Sequence, residues 1–248
     1  MTAPKLAGLA LLVAIIALLQ VLVSGGVISP FVVAAPSAIA EQAWLMLLNE
    51  RLVQAFLSTS GLVFGALVLA TVVGVGIGYL LFRSRVLGEA FQSWLAAAFS
   101  APIVLLYPIF LVLFGRTPLM ILVMGFLVAI IPVALKTLEG FRAVPGVQLS
   151  VARTFNATEW QTFAKVLLPS ALPALLTGIR LSFIYTMINV IAIEYLVDFG
   201  GLGFLVGEMY DRYNIAGMYA AVLSVIFVTM IYFALVGRLS RLVDRRAA

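Results

Sequence analysis

Apolar residues run along this chain in blocks far longer than a soluble helix requires, separated by short polar intervals. Six blocks approach or exceed the length that crosses a bilayer: Leu6–Ser24, Phe56–Phe82, Trp94–Phe114, Leu119–Leu135, Ala171–Tyr195 and Ala216–Val236. About 20 apolar residues in a helix cover roughly 30 Å of hydrocarbon, so the pattern predicts six transmembrane helices. The first block reads as a retained span and not a signal peptide, because no small-x-small cleavage site leads from it into a soluble region. In the second, Gly61 and Gly65, and again Gly74 and Gly78, have the spacing that lets a neighbouring backbone approach. Pro102 and Pro108 in the third and Pro132 in the fourth each remove a backbone donor and are expected to bend their helices. After Pro36, the residues Ile39, Ala43, Trp44 and Leu47 share a face, which predicts a short amphipathic helix in the outer interface.

Composition sharpens the class. Of 248 residues, 64% are hydrophobic and only 10% charged, where a soluble domain has about a quarter charged. With a mean hydropathy of +1.20, the chain reads as an all-α, multi-pass membrane protein. The net charge of +5 would suggest nucleic acid for a soluble protein; here it follows from topology, and no nucleic-acid partner is expected. Placing the N-terminus inside puts Lys5, Arg83, Arg85, Lys136, Arg142, Arg153, Lys165, Arg238, Arg241, Arg245 and Arg246 on the cytoplasmic side. Only Arg51, Arg116 and Arg212 then fall outside. That bias predicts two cytoplasmic termini.

Several chemistries are excluded. The chain has no Cys and no His, which removes disulfides, thiolate nucleophiles and the commonest general base and metal ligand. An intramembrane enzyme would lack its usual acid–base groups. No G-x-x-x-x-G-K-[ST] occurs, so the chain has no phosphate-cradling loop. Catalytic residues, metal ions and cofactors bound by this chain are not expected.

One stretch breaks the apolar pattern: "VARTFNATEWQTFAKVLLPSALP", residues 151–173. Val147–Phe155 can be helical, and Asn156 tolerates the left-handed conformation of a helix C-terminus. Thr158-Glu159-Trp160-Gln161 fits a capping box. Trp160, Phe163, Ala164 and Leu167 then form one apolar face. Pro169 is expected to end the unit, with Pro173 in the first turn of the next span. The reading is helix, turn, helix, stop, with no strong apolar stripe on the first helix. Residue physics alone leaves two uses open, a helix covering lipid or a protrusion that meets a partner.

The spacing of this stretch is specific. Ser150-Val151-Ala152, then Asn156 after three residues, then Val166-Leu167-Leu168-Pro169 after nine more, follow a motif of Glu-Ala-Ala, Gly and Ile-x-Leu-Pro. "LLPSALPALLTGIRLS", "AIEYLVDFGGLGFLV", "PSAIAEQAW" and "APIVLLYPIFLVLFG" add to the match. From about Pro36 onward the chain resembles permease subunits of binding-protein-dependent ABC importers, of the nitrate/taurine/sulfonate type. The resemblance implies one permease domain over 1–248 with the six-helix fold of a type I importer. It implies a cytoplasmic coupling segment at about 146–169 that docks on a separate ATPase through Leu149, Ser150, Val151, Ala152, Arg153 and Asn156. Ser150 departs from the motif's acid and Asn156 from its glycine; the second change costs little where the backbone is left-handed.

Two ionisable residues fall within or beside the fifth span. Arg180 and Glu194 are separated by fourteen positions, near one helical face but about 21 Å apart along the axis, too far to pair. Arg180 either attracts an anionic solute or snorkels at the cytoplasmic boundary. Glu194 precedes "DFGGLG", and Gly200, Gly201 and Gly203 permit a tight turn. In the resembling family a Glu here with the following Gly-Leu-Gly is characteristic, and Glu194 reads as a brace or gate for the outer loop. The solute path is expected in the third to fifth spans, with Tyr107 and Arg180 as candidates.

The resemblance further implies partners: two ATPase subunits that hydrolyse ATP, a second permease copy or paralogue, a periplasmic or tethered solute-binding protein, and the lipid of a bacterial inner membrane. The solute implied is small and polar or anionic, of the nitrate, sulfonate or vitamin-precursor type. The competing reading is an ATP-independent secondary transporter or channel. It would want buried proton or sodium ligands, yet the spans offer only Glu194 and its neighbour Asp198.

Overall fold

A computed structural model describes the backbone of residues 3–247 and, in full, residues 6–235 and Gly237. The side chains of Lys5, Arg238, Arg241, Arg245 and Arg246, used for the orientation, lie outside the described residues.

The described chain is helical throughout: α1 Ala3–Ser24, α2 Pro36–Leu48, α3 Arg51–Arg83, α4 Arg85–Ser100, α5 Tyr107–Phe114, α6 Pro118–Arg142, α7 Gly146–Thr154, α8 Glu159–Thr162, α9 Leu168–Leu196, α10 Leu202–Asp211 and α11 Ile215–Ala247. A 3-10 turn, Ile103–Leu106, leads into α5, and a π turn, Phe163–Leu167, joins α8 to α9. Five stretches are long and apolar enough to cross a membrane, and a bent pair makes a sixth. The all-helical, six-span expectation matches this.

The third span bends at the first of its two prolines, as expected: α4 and the Ile103–Phe114 segment meet at 81°. The cause is Pro102, which disfavours α conformation in the residue before it; Ala101 is extended, at φ −75° and ψ 136°. Pro108 sits instead in the first turn of α5, where a missing N–H costs nothing. Pro169 does not stop its helix, since winding continues from Glu159 to Leu196. The wider π turn just before it moves the preceding carbonyls out of the α register that a proline ring would strike. In α2, Met46 is buried and Ile39 and Ala43 pack inward with it, while Trp44 and Leu47 are exposed. The buried stripe is i, i+4, i+7, and the expected face mixes two sides of the helix.

The described residues cluster into two compact units. The first comprises Met1–Thr59 and Glu194–Val228. Its core joins Met46 of α2 and Ala55 of α3 to Leu202, Leu205 and Met209 of α10 and Ala220 and Ala221 of α11. Asn214 accepts the Gly217 amide at 2.9 Å and donates to Gln42 at 3.0 Å, so one side chain starts α11 and ties it to α2.

The second unit comprises Ser60–Ile193 and Thr229–Ala248. Here α6 is the most buried of the apolar spans, and glycines explain how. A Cβ at Gly78 of α3 would stand 2.6 Å from Thr137 Cβ, and one at Gly74 2.9 Å from Val133 Cβ. On the α9 side, a Cβ on Gly140 would meet Ala171 and Ala174 at 2.9 Å. These helices approach to a separation that only small residues allow. Gly61 has open space, and a Cβ on Gly65 would meet Leu122 Cδ1, the end of a flexible side chain, tightly at 3.3 Å, so the crossing that backbone and Cβ atoms close belongs to the second of the two G-x-x-x-G pairs.

Candidate functional site

Residues 146–169 form a folded protrusion of the second unit. At the end of α7 the Asn156 amide donates to the Arg153 carbonyl at 2.9 Å and the Ala157 amide to the Ala152 carbonyl at 3.0 Å. That is a Schellman ending, and Asn156 takes the left-handed conformation it needs, φ 49°. Two residues on, Thr158 Oγ1 accepts the Gln161 amide at 3.2 Å while Gln161 Oε1 accepts the Thr158 amide at 2.8 Å. The capping box therefore starts the next helix as soon as the last one ends.

Aromatic packing anchors the turn. Phe163 lies edge-on to Tyr79 of α3 at 4.8 Å and to Phe141 of α6 at 6.0 Å, and Trp160 stacks on it at 5.5 Å. Arg83, the last residue of α3, pairs with Glu159 at 2.6 Å, and Ser170 donates to Gln148 at 3.0 Å.

The six predicted docking residues divide between two faces of α7. Leu149 packs towards Phe141 and Leu167, and Ala152 is only 7% exposed. Leu149 is nonetheless partly exposed, and Ala152 reaches the wall of the groove beside α7. Ser150, Val151, Arg153 and Asn156 are exposed. An apolar stripe was not foreseen from the sequence: Val147, Val151 and Phe155, at i, i+4 and i+8, all face outward, Phe155 at 81% exposure. They line a groove of about 560 Å³ closed on its other side by Gln161, Lys165 and Val166. The spacing was legible; an exposed Phe in a polar stretch was the signal.

Glu194 lies in the first unit and is fully buried. Its carboxylate accepts from Thr59 Oγ1 of α3, at 2.9 Å to each oxygen, and from the Gly203 amide at 3.0 Å. Thr59 Oγ1 in turn accepts the Leu202 amide at 2.8 Å. Leu202 and Gly203 open α10, whose N-cap, Gly201, has no side chain to satisfy them. Thr59 and Glu194 thus cap α10 from other helices, with the negative group at the positive end of the helix dipole. Gly201 adopts φ 109°, and a Cβ there would overlap the Glu194 carboxylate. Gly203 is joined to this network by its amide, whereas a Cβ on Gly200 would have only Ser58 Oγ near it, at 3.9 Å. Thr59 could not be foreseen, because nothing in a lone threonine of an apolar span announces a partner 135 residues away.

Arg180 lies in the second unit with its guanidinium 4.4 Å above the ring of Phe233, a cation–π arrangement. Tyr107 starts α5, just past the bend. Beside that bend is a cavity of about 260 Å³ whose walls include Phe99, Tyr185 and Asn189 and neither Arg180 nor Tyr107. No group of three or more acidic residues that could hold a metal ion occurs among the described residues.

Residues 66–248 match a family described as "Binding-protein-dependent transport system inner membrane component". The chain is 25% identical over 185 residues to the formylaminopyrimidine transport permease protein ThiX of Halalkalibacterium halodurans, covering 75% of this chain and 74% of that one. It is 28% identical over 170 residues to the nitrate import permease protein NrtB of Synechocystis, covering 68% of this chain and 59% of that one. Among solved structures, a chain of the MetNI methionine ABC transporter in an inward-facing conformation superposes with a TM-score of 0.65 at 26% identity. That match covers 77% of this chain and 95% of the other.

Proposed function

The chain belongs to the family of binding-protein-dependent transport system inner membrane components, and from that membership we propose how its parts work. It is a permease subunit of an ABC importer, and such subunits work with ATPases and a solute-binding protein. The family match takes in residues of both compact units, which supports reading 1–248 as one permease domain.

We assign residues 146–169 to ATPase coupling. The observation that carries this is the outward stripe of Val147, Val151 and Phe155 on a segment fixed to α3 and α6 by Phe163. Ser150, Arg153 and Asn156 flank the stripe, and Leu149 and Ala152 hold it from beneath. A rigid apolar contact is what a push from a partner requires, since a flexible one would absorb the motion. ATP is hydrolysed by two ATPase subunits, and this chain binds no nucleotide. A second permease copy or a paralogue completes the path, both termini are cytoplasmic, and the membrane is a bacterial inner membrane surrounded by lipid.

On that orientation Glu194, Gly200, Gly201 and Gly203 belong to the outer side, where Glu194 braces the turn into α10 as part of the outer gate. A periplasmic or tethered solute-binding protein delivers a small polar or anionic solute there. The relatives named for nitrate and for a formylaminopyrimidine bracket that range. Tyr107 and Arg180 border the path, Arg180 as a fixed cation held over Phe233.

The test is co-purification of this chain with its ATPase in detergent. Wild type is expected to retain the ATPase, and Val151→Asp, which charges the exposed stripe without entering the core, to release it. Retention by Val151→Asp and by Phe155→Asp alike would remove the coupling assignment.

A further inference from the structure

Asn189 of α9 is 7% exposed, and its side-chain oxygen has no hydrogen-bond partner among the described residues. Leaving a buried acceptor unpaired costs about 1–3 kcal/mol, so the position calls for a donor from outside the chain. Asn189 lines the cavity of about 260 Å³ beside the α4–α5 bend. Two aromatic rings share that lining, Phe99 and Tyr185, set edge-to-face with centroids 4.6 Å apart. Ser100 adds a hydroxyl at the bend itself. None of the residues lining the cavity is charged.

We propose that this cavity is a solute-contact site, and that it selects a small, planar, uncharged ring bearing an N–H or amino donor, which Asn189 reads. The assignment rests on the permease reading above and narrows its solute class. An amide oxygen is an acceptor and wants a donor. A naked anion entering here would give up hydration with no cation among the lining residues to replace it. Tyr185 and Phe99 supply the faces and edges against which a flat ring packs. The volume falls below the roughly 300–1,000 Å³ of pockets for drug-sized molecules, which fits one substituted ring. The bend places all of this together: Ser100 ends α4, and the chain turns at Ala101–Pro102 to form the cavity's rim.

The experiment uses proteoliposomes holding the complete complex with its binding protein and ATPase, and follows ATP-dependent accumulation of labelled 4-aminopyrimidine and of labelled nitrate. Wild type is expected to accumulate the aminopyrimidine in preference to nitrate. Asn189→Leu should raise KM for it about tenfold or more, the loss of one buried hydrogen bond, and Asn189→Gln should recover part of the loss. Tyr185→Ala, at a half-exposed position, should raise KM in the same direction even if Asn189→Leu fails to assemble. Preference for nitrate, no accumulation of the aminopyrimidine by wild type, or an unchanged KM in an assembled Asn189→Leu or Tyr185→Ala complex would overturn the proposal. Co-purification of the ATPase and basal ATP hydrolysis report separately on the permease reading. Their absence in wild type would sink that reading, and their presence with an unchanged KM would sink only the site.

Discussion

The hydroxyl of Thr59 lies 2.9 Å from both carboxylate oxygens of Glu194 and at the same time accepts the Leu202 amide at 2.8 Å. Two side chains from two helices thereby supply the cap that Gly201 cannot. Removing either leaves buried donors unpaired, at about 1–3 kcal/mol each. Thr59→Val and Glu194→Ala are each expected to lower the unfolding midpoint in detergent and to speed proteolysis within residues 197–203. Because the two groups share one network, the double variant should cost less than the sum of the singles. Additive losses would show that they act separately.

The two glycine pairs of α3 make a sharper comparison. A Cβ at Gly78 would stand 2.6 Å from Thr137 Cβ and 2.9 Å from the Ala134 carbonyl oxygen. Neither can yield without parting the helices, so Gly78→Ala should destabilise by about 1–3 kcal/mol, the usual cost of overpacking. Gly61 has nothing within 4 Å. There Gly61→Ala should be neutral or stabilising by up to about 1 kcal/mol, from helix propensity alone. Thermal unfolding of the two variants side by side checks both. Equal losses would mean that the G-x-x-x-G spacing, and not the contact, is what matters.

These glycines mark how much could be read in advance. Span number, the left-handed Asn156 and the capping box of Thr158 and Gln161 follow from local rules, and the structure contains them. What escaped were relations set by packing between distant parts of the chain. Equal spacing made Gly61 and Gly78 look alike until α6 was seen to lie against only one of them. The stop expected at Pro169 failed because a π turn ahead of it accommodates the ring, and no residue pattern announces a π turn. Leu149 and Ala152 stand in the same short helix as Val151, yet Leu149 packs with Phe141 and Leu167 and Ala152 is buried, while Val151 is exposed. Asn189 was visible as an amide inside an apolar run, but only the cavity beside it gives that amide a use.

At Asn156 the backbone, at φ 49°, sets the permitted residues. Asn156→Gly should preserve or slightly improve the turn, since glycine takes this conformation without penalty. Asn156→Val should cost about 1–2 kcal/mol locally and re-aim Val151 and Phe155. The readout is the ratio of solute transported to ATP hydrolysed in the reconstituted complex. That ratio should hold for the glycine variant and fall for the valine one. A ratio indifferent to both would detach the Schellman turn from coupling.

Two contacts hold the protrusion to α3, and their sizes can be told apart. Arg83 and Glu159 pair at 2.6 Å, but both side chains are substantially exposed, and water screens such a pair to little net stability. Phe163 is half-buried and meets Tyr79, Phe141 and Trp160. Truncating a buried Phe costs about 3–5 kcal/mol, and its partial exposure puts the expected loss below that range yet well above the ion pair's. Glu159→Gln should therefore leave both stability and ATPase retention within error, while Phe163→Ala lowers the unfolding midpoint and weakens ATPase retention. Trp160→Ala, which removes one exposed ring from the stack, should fall between them. If Glu159→Gln releases the ATPase while Phe163→Ala does not, the protrusion is positioned by charge, and the aromatic anchor is only packing.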